Sequence, residues 1–231
     1  HADNDFFPAW SPDGSRLAFV STRADAPGVY TISTDGSGEK LEVETRGSVG
    51  APSWSPSGQI LFSVVPGTQA LAAGEETRLV LDGQTVATGE DYHPFRAQWL
   101  SNDEFLYPAD GRIKRRTLSG GPGAPVEFTA TLEVVRPDYV RKVRNYDATT
   151  QRALGIVRPT MSPQGDRVAF AALADLWIAP ATGGNPVQLT DDSFVDSDPA
   201  WSPDGTHLAF TSDRAGSMDI WIRDLGTGTD R

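Results

Sequence analysis

Residues 10–14 have the sequence Trp-Ser-Pro-Asp-Gly, and the same stretch returns unchanged at residues 201–205. A third copy at 54–58 has Ser in place of Asp, and a fourth at 161–165 has Met in place of Trp and Gln in place of Asp. Residues 99–103, Trp-Leu-Ser-Asn-Asp, are a degenerate fifth copy. The copies therefore begin at positions 10, 54, 99, 161 and 201, in steps of 44, 45, 62 and 40 residues.

The period of this repeat indicates a β-propeller. Three of the four steps lie near the ~40–50 residues of a propeller blade, and the long step requires an insertion, which we place at residues 133–158. An apolar run of strand length follows each copy, such as Leu-Ala-Phe-Val at 17–20. The prediction is one all-β domain over residues 1–231, a β-propeller whose four-stranded blades begin near residues 5, 49, 94, 156 and 196.

Each part of the repeated stretch has a local role. Pro12 sets its own φ at about −65° and Gly14 accepts a positive φ, so Ser-Pro-Asp-Gly predicts a turn between two strands. The runs that flank the turn are apolar on both faces, as expected of a sheet packed between two neighbouring sheets. We therefore interpret the tryptophans as contacts between blades rather than as a surface that stacks on a ligand.

Five copies predict a ring that is not closed. The first copy begins near residue 5, and the last ends near Arg231 where a fourth strand should start. This pattern indicates part of a larger propeller, as a fragment or a product of proteolysis. An open arc exposes blade faces and strand edges. We expect a protein partner, a companion domain of the same protein or another copy of the chain to cover them.

Composition excludes several classes of function. The formal net charge of −11 disfavours nucleic acid as a partner, because an acidic domain repels the phosphate backbone. The absence of cysteine excludes disulfides, thiolate metal sites and a cysteine nucleophile. No stretch approaches the ~18 consecutive apolar residues of a membrane span, so membrane insertion is not expected.

The repeat resembles that of a known family. Pro-x-Trp-Ser-Pro-Asp-Gly, an apolar strand and then Asp-Ile-Trp-Ile at 219–222 are similar to the TolB-type, WD-like propeller repeat. That repeat occurs in TolB, in prolyl-oligopeptidase-type peptidases and fused to metal-dependent amidohydrolases. Further stretches resemble the N-terminal propeller of bacterial amidohydrolase-like proteins. One is 95–100, which leads into 111–116, and the other extends from 128–134 to 169–177.

This resemblance implies a non-catalytic propeller that acts as scaffold, gate or protein-interaction module of a larger amidohydrolase-like protein. The alternatives are a TolB-like envelope protein-binding module and the gating propeller of a prolyl-oligopeptidase-type peptidase. The family implies a bacterial periplasmic or extracellular location. It also implies that any divalent metal of the parent is held elsewhere, so no cofactor is expected in this chain.

The sequence offers no catalytic constellation. His1, His93 and His207 are the three histidines, and no two of them have the His-x-x-x-His spacing of a metal site. No Gly-x-Ser-x-Gly elbow is present. The acidic run at 191–198 lacks the spacing of a calcium loop, and we interpret it as a connection between blades. We predict no catalytic residue and no metal ligand in this chain.

Alignment of the copies gives a candidate binding site. The residues three positions before the Trp position should begin the innermost strands and surround one mouth of the central channel; they are Phe7, Ala51, Arg96, Arg158 and Asp198. Of these, Phe7, Arg96, Arg158 and Asp198 have the side chains to bind a polar ligand or a partner's loop. The alternative is a solvated rim whose charges neutralise one another.

The insertion is a basic island in an acidic protein. It contains Arg136, Arg141, Lys142 and Arg144 within nine residues. One interpretation is a docking surface for an acidic partner or a companion domain. The other is a solvated loop with scattered charges, and the sequence leaves both open.

Overall fold

In a computed structural model of the chain, residues 3–45, 47–67, 74–131 and 155–231 are described. These residues form twenty β-strands and no α-helix, arranged in five antiparallel sheets. Within the described residues, no helix is long and apolar enough to cross a membrane. The sheets are the blades of a β-propeller, as the repeat predicts.

Each of the first three blades contains one copy of the repeated stretch. Blade 1 contains β1 (Asp5–Trp10), β2 (Arg16–Ser21), β3 (Gly28–Ser33) and β4 (Lys40–Glu44). Blade 2 contains β5 (Ser48–Val49), β6 (Ser53–Trp54), β7 (Ile60–Val65), β8 (Arg78–Leu81) and β9 (Gln84–Thr88). Blade 3 contains β10 (Gln98–Trp99), β11 (Glu104–Ala109), β12 (Arg112–Thr117) and β13 (Ala124–Pro125).

The last two blades follow the long connection. Blade 4 contains β14 (Ile156–Met161), β15 (Arg167–Ala172), β16 (Asp175–Pro180) and β17 (Val187–Gln188). Blade 5 contains β18 (Asp196–Trp201), β19 (His207–Ser212) and β20 (Asp219–Asp224). Arg231 exchanges two backbone hydrogen bonds with Ile222 of β20, at 2.9 and 3.0 Å.

The Ser-Pro-Asp-Gly stretch forms the predicted turn between the first two strands of a blade. In blade 1 the amide of Gly14, at φ 71°, donates to the carbonyl of Ser11 at 2.9 Å. The Ser11 hydroxyl donates to Asp13 at 2.6 Å and accepts from the Arg16 amide at 2.9 Å. The side chains of the repeat therefore satisfy the turn internally, which explains why the stretch recurs with so little change.

The tryptophans join neighbouring blades, as predicted. Each of three indole N–H groups donates to a carbonyl in the innermost strand of a neighbouring blade: Trp54 to Ala9 at 3.0 Å, Trp10 to Ala200 at 3.2 Å, and Trp201 to Thr160 at 3.1 Å. The acceptor is always the residue before the Trp position of that blade. These bonds join blade 2 to blade 1, blade 1 to blade 5, and blade 5 to blade 4.

The two ends of the repeat meet, which differs from the arc with free end faces that the sequence predicts. Blade 5 packs directly on blade 1, where Leu17 shares a buried cluster with Ala200, Ala209 and Ile222. The amide of Asp5 donates to the carbonyl of Met218 at 2.8 Å across the same joint. The apolar faces of these two blades therefore cover each other, and the exposed faces lie elsewhere in the ring.

Trp54→Phe tests the energetic role of the indole bonds. We expect it to lower the free energy of unfolding by about 1 kcal/mol, because it removes one hydrogen bond and leaves the Ala9 carbonyl unsatisfied. The matched control is Trp99→Phe, because the Trp99 indole N–H is buried and has no acceptor within the described residues. Urea unfolding of both variants gives the comparison. An equal loss in the two would show that ring volume, and not the bond, is what matters.

The carboxyl group of Asp5 makes stability depend on pH. Burial in the joint between blades 1 and 5 raises the pKa of Asp5 from 3.8 to about 6, against the opposing effects of Ser21 and Arg23. Between these values the folded state binds more protons than the unfolded state, so the free energy of unfolding falls as the pH rises. At about 1.4 kcal/mol per pK unit, this fall amounts to about 2–3 kcal/mol.

We expect Asp5→Asn to abolish that fall between pH 4 and pH 6.5, measured by urea unfolding at steps of half a pH unit. Asp35→Asn is the control, because Asp35 is exposed and its pKa is lowered, through hydrogen bonds from Ser37, rather than raised. A wild-type curve that is flat over this window would contradict the assignment.

Candidate functional site at the channel mouth

The structure brings the four predicted mouth residues together. Phe7, Arg96, Arg158 and Asp198 line one cavity of about 360 Å³. They come from blades 1, 3, 4 and 5. Prolines and the exposed ring of Phe95 complete the wall. The alignment of the repeat therefore predicts four residues that line one cavity, and their role in binding stays a prediction.

The position of these residues within their strands differs from the prediction. Phe7, Arg158 and Asp198 lie two residues inside the innermost strands, at a shift in the pairing register rather than at the strand start. Their φ angles are 57°, 54° and 52°, in the left-handed region that costs a residue with a Cβ about 1–2 kcal/mol. This repeated bulge takes three residues of the mouth out of the regular ladder.

The bulge makes backbone carbonyls available to Arg96. The ladder between β1 and β2 pairs Phe6 and Ala9 but leaves out the two residues between them. The Arg96 guanidinium donates to the carbonyl of Pro8 at 2.6 Å, and to that of Phe7 at 3.4 Å. Its Nε donates to the carbonyl of Pro52 at 3.1 Å. One side chain of blade 3 thus binds blades 1 and 2.

Arg158 and Asp198 form the second half of the mouth. The Arg158 Nε lies 2.9 Å from the Asp198 carboxylate, and its guanidinium lies 4.9 Å from the centre of the Phe7 ring. The Arg158 side chain is 46% exposed, whereas that of Asp198 is 10% exposed. Burial raises the pKa of Asp198, and the two arginines oppose that rise. The ion pair joins blade 4 to blade 5.

The electrostatics of the mouth follow from these contacts. Burial lowers the pKa of Arg96 to about 10, so the side chain stays protonated at neutral pH. Two guanidinium groups face one carboxylate, which leaves the cavity with one net positive charge. The Arg96 guanidinium already donates hydrogen bonds to backbone carbonyls, so the exposed edge of Arg158 is the group that can donate to a ligand oxygen.

The other predicted features have different outcomes. The basic residues Arg136, Arg141, Lys142 and Arg144 lie outside the described residues. The acidic run connects blade 4 to blade 5 only over residues 191–195 and then continues into β18, and its Asp192 and Asp196 accept hydrogen bonds from Arg214. Within the described ranges, no three potential metal ligands of the types His, Cys, Asp and Glu come together.

Sequence reasoning missed the ionic centre at Arg214. This guanidinium contacts Asp196 at 3.1 Å and Asp230 at 2.7 Å, and it lies 5.0 Å from the ring of Trp221. Its Nε donates to Ser212 at 2.9 Å, just as the Nε of Arg23 donates to Ser21 in blade 1. The recurring Ser-x-Arg spacing was the signal that could have identified both centres.

Comparisons with known proteins agree with the fold. No model of a known protein family matches the chain. The chain is similar to the uncharacterized peptidase YuxL of Bacillus subtilis, with 27% identity over 222 residues that cover 93% of this chain and 24% of the peptidase. A TolB homologue of Chlorobium luteolum is 36% identical over 80 residues, which are 35% of this chain and 17% of that protein. The chain thus spans a quarter or less of these curated relatives.

A solved structure shows the same architecture. This structure is the β-propeller domain of the trilobed protease from Pyrococcus furiosus, which is described as having an open velcro topology. The match covers 99% of this chain and 83% of the protease chain, with 12% sequence identity and a TM-score of 0.50. The chain has the β-propeller fold. Its sequence relatives reported above are a peptidase and a TolB protein, so they give no support to the predicted amidohydrolase resemblance.

Arg96→Lys tests whether the guanidinium holds three blades together. We expect a loss of about 1–3 kcal/mol in the free energy of unfolding, because an ammonium group cannot satisfy carbonyls on two blades. Arg158→Lys is the control, and we expect it to cost less than about 1 kcal/mol because that ion pair is half-exposed. Thermal and urea unfolding measure both. Equal effects of the two substitutions would contradict the special role of Arg96.

Proposed function

We propose that the chain is the non-catalytic β-propeller of a larger peptidase, in which it admits and orients peptide substrates. The observation that carries this proposal is the similarity to a peptidase over 93% of the chain, against 24% of that protein's length. A match of this size leaves most of the peptidase for a separate catalytic domain. Fold alone does not give function, so the proposal also needs a site.

The channel mouth supplies a site of suitable chemistry. Extended peptides expose carbonyl oxygens and apolar side chains in alternation. The exposed edge of Arg158 offers donors for such oxygens, while Phe7 and the 63%-exposed ring of Phe95 offer apolar surface. The net positive charge of the cavity favours a peptide with an acidic residue or a free carboxylate near this point.

A second candidate is a TolB-like module that binds a protein partner, favoured by the 36% identity of 80 residues to a TolB homologue. The amidohydrolase parent stays a prediction from the resemblance of four short stretches. The catalytic motif of the parent protein distinguishes these parents: a Gly-x-Ser-x-Gly elbow supports the peptidase, and a His-x-His strand supports the amidohydrolase. The periplasmic or extracellular location also stays a prediction.

Peptide binding at the mouth is tested with a displayed library of random decapeptides selected on the immobilised chain. We expect enriched peptides to bind the wild type by fluorescence anisotropy and to bind Arg158→Ala at least about tenfold more weakly, which corresponds to the ~1.4 kcal/mol of one charge-assisted hydrogen bond. Arg112→Ala is the control, because Arg112 is exposed and outside the mouth cavity.

Two outcomes would count against the proposal. Enriched peptides that bind Arg158→Ala as well as the wild type would place the binding surface away from the mouth. Turnover of fluorogenic peptides by the isolated chain would show that the propeller itself is catalytic.

A further inference from the structure

A second cavity adjoins the channel mouth. It has a volume of about 550 Å³ and shares Phe7 and Arg158 with the wall of the mouth cavity. Its lining comes from blade 1, at residues 20–22 and 27–28, and from the connection to blade 2, at residues 45 and 47–49. We call this second cavity the side arm. Because the two cavities have two wall residues in common, the mouth and the side arm form one groove.

The side arm differs from the mouth in its chemistry. Phe6, Val20 and Val49 give it apolar surface, and the rings of Phe6 and Phe7 lie 6.1 Å apart between their centres. Four serine and threonine side chains add hydroxyl groups. Among the described residues that line the side arm, Arg158 is the only charged one. This lining suits an apolar side chain that lies next to a negatively charged group.

The charge of the groove is opposite to that of the chain as a whole, which has a formal net charge of −11. The described residues of the mouth and the side arm include two guanidinium groups and one carboxylate. A cavity of about 350 Å³ between blades 1 and 5 shows the contrast, because its lining has one arginine and four carboxylates: Asp5, Asp35, Glu39 and Asp219. A carboxylate of a ligand is therefore attracted to the groove and repelled by that other cavity.

Arg158 stands where the two cavities meet. Its Nε lies 2.9 Å from the Asp198 carboxylate, and its guanidinium lies 4.9 Å from the centre of the Phe7 ring. These two contacts fix the plane of the guanidinium, while 46% of the side chain stays exposed. A planar guanidinium binds a carboxylate through parallel hydrogen bonds, which an ammonium group does not offer. The boundary between the cavities is therefore the place for a ligand carboxylate.

An extended peptide can use both cavities at once. Its residues advance by about 3.3 Å each, and successive side chains point in opposite directions. A peptide that crosses Phe7 therefore directs one side chain toward the mouth and the next toward the side arm. A carboxylate at Arg158 then has an apolar side chain of the adjacent residue beside it, in the part of the groove whose lining is apolar.

We propose that the groove binds extended peptides in which a carboxylate pairs with Arg158 and the adjacent apolar side chain fills the side arm. This inference rests on the proposed function and specifies the class of peptide that the site takes. The carboxylate comes from an acidic side chain or from a free C-terminus, since both present the same group. The side arm then distinguishes among acidic peptides, because its lining favours an apolar neighbour over a polar one.

A set of fluorescein-labelled peptides tests this proposal by fluorescence anisotropy. All begin with Gly-Gly-Ser-Gly and differ only in their last two residues. Two leucine probes carry a carboxylate, one as Leu-Glu-amide and the other as Leu-Gln with a free C-terminus. A glycine probe, Gly-Glu-amide, lacks the apolar side chain, and Leu-Gln-amide lacks the carboxylate. We expect both of these to bind the chain at least about tenfold more weakly than the better leucine probe, which also identifies the source of the carboxylate.

Variants locate the apolar side chain in the side arm. Ser48→Trp and Thr22→Trp fill the side arm from two exposed positions, and Ser119→Trp, on an exposed turn outside both cavities, is the matched control. We expect each of the first two to weaken the better leucine probe at least about tenfold and to leave the glycine probe unchanged. The control should bind like the wild type, and all three should retain the circular dichroism of the blades.

The outcomes separate this inference from the proposed function. Equal binding of the leucine and glycine probes, or leucine binding that survives both side-arm variants, would overturn the role of the side arm. If Arg158→Ala still abolished binding in that case, the proposed function at the mouth would stand alone. No binding of either leucine probe up to about 1 mM would also overturn the inference, whereas the library selection decides the proposed function independently.

Discussion

The bond from a tryptophan indole to the carbonyl of the neighbouring blade is the interaction on which the rest of this structure depends. A blade is too thin to bury its own two faces, so each blade is stable only against its neighbours. The indole fixes the orientation of that contact as well as its area, because a single N–H must meet a single carbonyl in the innermost strand of the neighbouring blade. Trp54, Trp10 and Trp201 therefore set both the order of the blades and the position of their inner strands.

The same inner strands form the channel mouth, and there they contain backbone conformations that are energetically unfavourable. Within the innermost strands, residues with a Cβ are held at positive φ in three of the five blades, at Phe7, Arg158 and Asp198. In blade 1 this strain is offset, because the bulge leaves the carbonyls of Phe7 and Pro8 out of the ladder and Arg96 donates to both. In β1 the carbonyls of Phe7, Pro8 and Ala9 accept bonds from two other blades. The mouth is thus a product of the contacts that hold the blades together.

The sequence predicts what the repeat encodes locally. The turns, the strand order within a blade, the tryptophan contacts and the four mouth residues all follow from positions that recur in each copy. Two features could not be predicted this way. The contact between blades 5 and 1 depends on the three-dimensional packing of the blades. The copies of the repeat have similar sequences, so no single copy identifies which blade faces pack against each other. Phe7, Arg158 and Asp198 have a left-handed backbone conformation, but none of them is a glycine or an asparagine, from which this conformation could have been predicted.

The two sides of the channel mouth are held by different contacts, and this difference decides which side can move to admit a ligand. Arg96 is bound to three carbonyls on blades 1 and 2, so that side of the cavity cannot move without breaking charge-assisted hydrogen bonds. Arg158 depends on blade 4, whose only described joint is with blade 5 through Trp201 and Asp198. A ligand that needs space at the mouth therefore gains it most easily by displacing Arg158 and β14. How far the mouth can widen therefore depends on how firmly the joint with blade 5 holds blade 4.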